Sequence, residues 1–153
     1  MDGSTTNDAV LQTTRTYPWP ADTIYQAFAD PERLAKWWGP NGFSNTFETF
    51  GFTEGGEWRY TMHSPDGQDF KNVCVFVELI PAEKLVIKHD SAPRFTLTIT
   101  LEESNNQTLL TWIQKFEDPQ VANAVRHLAE PGNEQNLDRL GENLGEGSQS
   151  TCG

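Results

Sequence analysis

The stretch RFTLTITLEESNNQTLLTWIQKF, residues 94–116, alternates with period two on both sides of a polar break. Successive side chains of a strand point to opposite faces. Arg94, Thr96, Thr98 and Thr100 therefore share one side, while Phe95, Leu97, Ile99 and Leu101 share the other and must face inward. Ser104-Asn105-Asn106 is turn chemistry. On the return run Leu110, Trp112 and Phe116 fall on one face and carry Gln114 into the same row. Two such runs joined by a short polar link predict an antiparallel hairpin, Arg94–Glu102 with Thr108–Phe116.

The same pattern extends back toward the N-terminus. Strands are predicted over Phe43–Phe50, Glu57–His63, Asp69–Leu79 and Leu85–His89, divided by Gly55-Gly56, Pro65-Asp66-Gly67, Pro81-Ala82 and Ser91-Ala92-Pro93. These links are too short for parallel crossovers, so the strands form an antiparallel meander. Phe43 and Phe47, then Trp58, Tyr60 and Met62, then Leu85, Ile87 and His89 are the inward candidates, with Arg59, Thr61 and His63 pointing out. Asp69–Leu79 is partly apolar on both sides, which leaves its inner face undecided.

Ala9 to Tyr17 reads as a first strand, and Pro20 as the first residue of a short helix through Ala29. In DPERLAKWWGPNGF, residues 30–43, Asp30 caps a second helix, Pro31 takes a position whose N–H is orphaned anyway, and Glu32 suits the positive end of the dipole. Gly39-Pro40 ends it. Leu34, Trp37 and Trp38 lie on adjoining positions, so Trp37 is expected to anchor the helix and Trp38 to reach the rim of any enclosed space. Beyond Asp118-Pro119, Val121, Val125, Leu128 and Ala129 share a helical face. Pro131-Gly132 interrupts, and Leu137, Leu140 and Leu144 recur at helical spacing. That predicts either one long broken helix or a short helix followed by a longer one.

The expected fold is α+β: a curved seven-stranded antiparallel sheet around a long C-terminal helix, with two short helices between strands 1 and 2. Residues 9–144 are expected to form one domain, with residues 1–8 and 145–153 as mobile tails.

Composition narrows the function. The chain has 153 residues, 22 acidic against 11 basic, for a net charge of −11. A surface that tracks phosphates needs the opposite balance, so nucleic acid and anionic membrane are not expected partners. No secretion leader or spanning segment is read, and a cytoplasmic location is expected. Cys74 reads as a small buried hydrophobe, and a disulfide to Cys152 is not expected. His63, His89 and His127 lack metal-type spacing, and no nucleophile elbow or phosphate loop occurs. No metal or cofactor is expected.

Three stretches in order, YPWPADTIYQAFADPERLAKWWGPNGF (17–43), FTEGGEWRYTMHSPDGQDF (52–70) and VELIPAEKLVIKH (77–89), resemble proteins related to the C-terminal domain of the heat-shock-protein-90 ATPase activator, within the START-like SRPBCC superfamily. NEQNLDRLGENL (133–144) resembles that family's last helix. The resemblance implies a helix-grip fold with a hydrophobic cavity between sheet and helix. It also implies binding of a small apolar molecule or lipid, with a homodimer and chaperone binding left open.

The candidate ligand-contacting residues are Trp38, Phe43, Phe47, Trp58, Tyr60 and Met62 in the first half of the chain. His89, Phe95, Trp112, Gln114, Phe116 and Leu137 follow in the second. Two other readings compete with ligand binding. One is a cyclase, dehydratase or hydrolase that polarises a carbonyl with His89 and Gln114, or with Arg59 and a carboxylate; the other is a chaperone-associated domain.

Overall fold

The computed structural model describes residues 9–91 and 93–152, with side chains through Gly145. The expectation of a mobile 1–8 segment, the middle residue of the Ser91-Ala92-Pro93 turn, and the Cys152 side chain lie outside the described residues. β1 (Val10–Tyr17) leads into α1 (Ala21–Ala29) and α2 (Pro31–Trp37). The meander β2 (Ser44–Phe50), β3 (Glu57–His63), β4 (Asp69–Ile80), β5 (Lys84–His89), β6 (Phe95–Ser104) and β7 (Gln107–Phe116) follows, then α3 (Pro119–Cys152). All seven strands form one curved antiparallel sheet in the order β1-β7-β6-β5-β4-β3-β2, so β1 and β2 are its edges.

The expected alternation holds along β6 and β7, where Leu97, Ile99, Leu101, Leu110, Trp112 and Phe116 are all buried. Two bulges explain what simple alternation missed. The β2–β3 register shifts between Phe47 and Thr49, which brings Phe50 opposite Trp58 and back onto the inner face. A second shift between Phe76 and Glu78 leaves Val77 half exposed, so Cys74 and Phe76 point inward before the bulge and Leu79 packs inward after it. The undecided face of β4 is this one-residue slip.

The helix ends behave as their chemistry requires. Asp30 Oδ1 accepts from Glu32 N at 3.0 Å and from Arg33 N at 3.5 Å, capping α2. Pro20 is extended and caps α1 from outside, so that helix starts at Ala21, one residue later than read. Helical assignment also runs unbroken through Pro131. Pro131 removes one backbone donor from that ladder, yet α3 is one element rather than two, and its backbone continues to Cys152 through most of the stretch read as a tail.

Leu137, Leu140 and Leu144 are fully buried against the sheet and are the grip of the helix. Polar ties reinforce it. The Tyr17 hydroxyl donates to Leu137 O at 2.6 Å, and Arg15 bonds Glu134 and Asp138 at 2.7 Å each, joining β1 to α3.

Candidate functional site: a cavity between sheet and helix

The two tryptophans at the end of α2 diverge as expected. Trp37 is buried edge-on against Phe28 at 4.8 Å and donates its indole N–H to Ala27 O at 3.2 Å. Trp38 turns the other way, with its ring 5.1 Å from Trp58 and 5.9 Å from Trp112. Its Nε1 donates to the Tyr60 hydroxyl at 3.1 Å, and Tyr60 in turn donates to the Cys74 thiol. Burial pushes the Cys74 thiol up to about 12 and the Tyr60 phenol well above its ordinary value.

The corner that holds Trp38 is clamped from the far end of the chain. The last carbonyls of α2 and those of the W-W-G-P turn have no helical partners, and Arg139 on α3 supplies donors to them. Its Nη1 bonds Trp38 O, Gly39 O and Pro40 O at 3.3, 3.0 and 2.7 Å, and its Nη2 bonds Lys36 O and Phe43 O at 2.7 and 3.0 Å. The planar five-donor fork of Arg suits such a cluster of carbonyls. Asn136 adds a bond from Nδ2 to Trp37 O at 3.0 Å. Gly39 has φ +98°, a conformation glycine adopts without strain, and its missing side chain leaves room for the Met62 methyl.

Above this corner lies a cavity of about 340 Å³. Its sheet wall is His89, Phe95, Leu97, Trp112, Gln114 and Phe116. Trp38, Tyr60, Met62 and Asn72 close one end, and Val125, Leu128, Ala129, Asn133 and Asn136 of α3 roof it. Leu128 is exposed at the mouth, 67% accessible.

Eight of the twelve residues read as ligand contacts thus meet here: Trp38, Tyr60, Met62 and His89, with Phe95, Trp112, Gln114 and Phe116. The other four do not line the space. Trp58 and Leu137 are wholly buried in the core, and Phe47 packs on Trp58 at 5.4 Å, because the ring cluster continues past the cavity into solid packing. Phe43 lies just before β2 and lines a separate outer hollow beside Met62 and Phe70. Asn72, Asn133 and Asn136 were not read as site residues; β4 had no decided face, and polar residues on a helix look solvent-facing until the roof is known.

His89 is a wall rather than a free base. Its ring stacks on Phe95 at 4.5 Å and 5°, Nδ1 donates to Pro93 O at 2.9 Å, and Nε2 lies 2.7 Å from the Asn72 amide oxygen. Burial lowers its pKa, partly offset by the backbone bonds. Arg59 lies outside the cavity altogether, bonded to Glu57 at 2.8 Å on the outer face. His63 is also on that face, between Thr46 Oγ1 at 2.7 Å and Asp69 at 2.8 Å. Among the residues that line the cavity none is Lys, Arg, Asp or Glu, so what the space offers a guest is rings and amides.

The family model for the activator of Hsp90 ATPase homolog 1-like proteins matches residues 18–145. The chain belongs to that family. Solved structures agree with the fold of this chain. It is 24% identical to a protein from Arthrobacter aurescens, with a TM-score of 0.85 over 92% of this chain and 88% of the other. A protein from Nitrosomonas europaea is 21% identical, with a TM-score of 0.82 over 91% and 96% of the two chains. DynU16, from the dynemicin biosynthetic locus, matches 91% of this chain over 48% of its own length, at 17% identity and a TM-score of 0.68. At these identities the likeness is one of fold. No curated protein matches the chain significantly.

Proposed function

We propose that this chain binds a small hydrophobic or amphipathic molecule in the cavity between β3–β7 and α3. The observation that carries the reading is the unfilled space of about 340 Å³ walled by Trp38, Phe95, Trp112 and Phe116. Protein interiors normally close such gaps, and this one falls within the range of about 300–1,000 Å³ used for ligands. Rings that bury fully are worth roughly 1.5–3 kcal/mol each as core. A fold that holds them around open space forgoes part of that contact unless a guest completes it.

The test is native mass spectrometry of freshly purified full-length protein, followed by a thermal-shift screen of apolar metabolites and lipids. Saturable stabilisation in the wild type, lost in Ala129→Trp because the new ring fills the space under α3, is the expected result. If no apolar compound raises the melting temperature, or if Ala129→Trp leaves every shift unchanged, the cavity is packing and not a site.

A further inference from the structure

The polar groups of the cavity divide sharply into those already used and those left over. His89 Nδ1 donates to Pro93 O, its Nε2 faces the Asn72 amide oxygen at 2.7 Å, and the Tyr60 hydroxyl accepts from Trp38. With no Lys, Arg, Asp or Glu on the wall, a charged ligand would be desolvated without a counter-charge, at a cost of several kcal/mol.

Two groups remain. Asn136 Nδ2 donates to Trp37 O at 3.0 Å; because a backbone carbonyl only accepts, this fixes the amide's orientation. Oδ1 is left as an acceptor with no protein partner among the described residues. Asn133 Nδ2 donates to Gln114 Oε1 at 3.0 Å, which leaves Gln114 Nε2 as a donor, likewise without a protein partner among the described residues. Asn133 and Asn136 are three apart on α3 and so neighbours on one helix face, about 5–6 Å between Cβ atoms. Gln114 Nε2 and Asn136 Oδ1 therefore belong to one stretch of the wall, bridged by Asn133, in a cavity that Trp112 and Phe116 also line.

We propose that the cavity selects an uncharged, ring-bearing ligand that presents a carbonyl beside an N–H or O–H, as in a lactam or an ortho-hydroxy carbonyl, with Gln114 donating to the carbonyl and Asn136 accepting the proton. This rests on the ligand-binding reading above and names the class of ligand. A plain hydrocarbon fills the space but leaves both amides without a partner, and a site built to hydrogen-bond its ligand discriminates against an analogue that lacks those groups.

Three probes built on one fused bicyclic frame separate the possibilities on the full chain by calorimetry: naphthalene, 1(2H)-isoquinolinone and 1-naphthoate. The lactam should bind about tenfold tighter than naphthalene, the gain of two net hydrogen bonds, and 1-naphthoate should bind more weakly than both. Gln114→Met keeps the side-chain length but removes the donor, and should cost the lactam about fivefold while naphthalene stays within about twofold. If that variant does not fold, Asn133→Ala, which frees the Gln114 amide, should reduce the lactam preference instead.

Equal affinity for naphthalene and lactam, a best affinity for 1-naphthoate, or an equal loss for both neutral probes in the variant overturns the pairing and leaves the cavity reading intact. Binding of none of the three overturns both.

Discussion

Arg139 Nη1 donates to Pro40 O at 2.7 Å, and the same guanidinium reaches four more carbonyls between Lys36 and Phe43. One side chain on α3 therefore ends α2, shapes the turn into β2 and sets the rim of the cavity. Charge-assisted bonds are individually worth about 1.5–3 kcal/mol. Replacing Arg139 with Ala should therefore destabilise the chain by about 3 kcal/mol, measured by urea denaturation. Arg139→Lys should recover less than half of that, since an ammonium is a point donor and not a fork.

Trp38 depends on Tyr60 for the only hydrogen bond its buried indole N–H makes among the described residues. Tyr60→Phe removes that acceptor and should cost about 1–3 kcal/mol, the penalty of a stranded buried donor. Trp38→Phe in the same background should cost less than Trp38→Phe alone, because it also removes the stranded donor. A double-mutant cycle reads the coupling directly, and additive losses would exclude it.

Gly55 and Gly56 are adjacent but not equivalent. A side chain on Gly55 would meet open space, although its φ of +84° still strains any other residue. Gly55→Ala should cost about 1 kcal/mol. A side chain on Gly56 would run into the carbonyl of Gly51, which is backbone and cannot step aside. Gly56→Ala should cost at least about 3 kcal/mol or prevent folding, with thermal melting and soluble yield as the readouts.

The buried acids predict alkaline lability. Burial raises Cys74 to about 12 and also raises Tyr60 and Tyr17. Their unfolded counterparts titrate near 8.5 for Cys and 10 for Tyr. Above about pH 9 the unfolded chain thus releases protons that the folded chain keeps, and stability falls by about 1.4 kcal/mol per pH unit for each such group. Below the unfolded values the contribution is complete. Cys74→Ala should delay the onset of the decline from about pH 9 to about pH 10 in denaturation curves taken from pH 7 to 11.

His89 works in the opposite sense at the other end of the scale. Its depressed pKa means that the unfolded chain binds the proton first as pH falls below about 6.5, so stability declines on acidification. Asn72→Asp places a carboxylate 2.7 Å from Nε2 and should raise the His89 titration in NMR spectra, shrinking that decline because the folded value then lies closer to the unfolded one. An unchanged titration would mean that the Asn72 contact does not govern the ring.

How much of this was legible follows from the range of each interaction. The β6–β7 hairpin announced itself because alternation is local and its turn has its own residues. Trp37 and Trp38 could be separated by one step around a helix. Phe50 and Val77 could not be placed, because a bulge changes the phase of a strand without altering the residues around it. Pro131 misled for a related reason: a lost donor is a local cost, and the leucines that bury α3 lie further along the same helix. The Arg139 clamp joins residues 96 to 103 positions apart. Nothing in the local pattern marks an arginine as a helix terminator for another element, just as nothing marks Asn133 and Asn136 as part of a roof.

The division of labour along α3 has a consequence for how the chain can change. Leu137, Leu140 and Leu144 hold the helix to the sheet, whereas Val125, Leu128 and Ala129 cover the cavity from a separate stretch nearer its start. Substitutions in the covering stretch alter the shape of the chamber and leave the three leucines in place, while Val125 and Ala129 also pack on the smaller core of Leu11, Phe116 and Ala122. The scaffold is in this sense divided along a single helix, a handle and a cover cut from one rod.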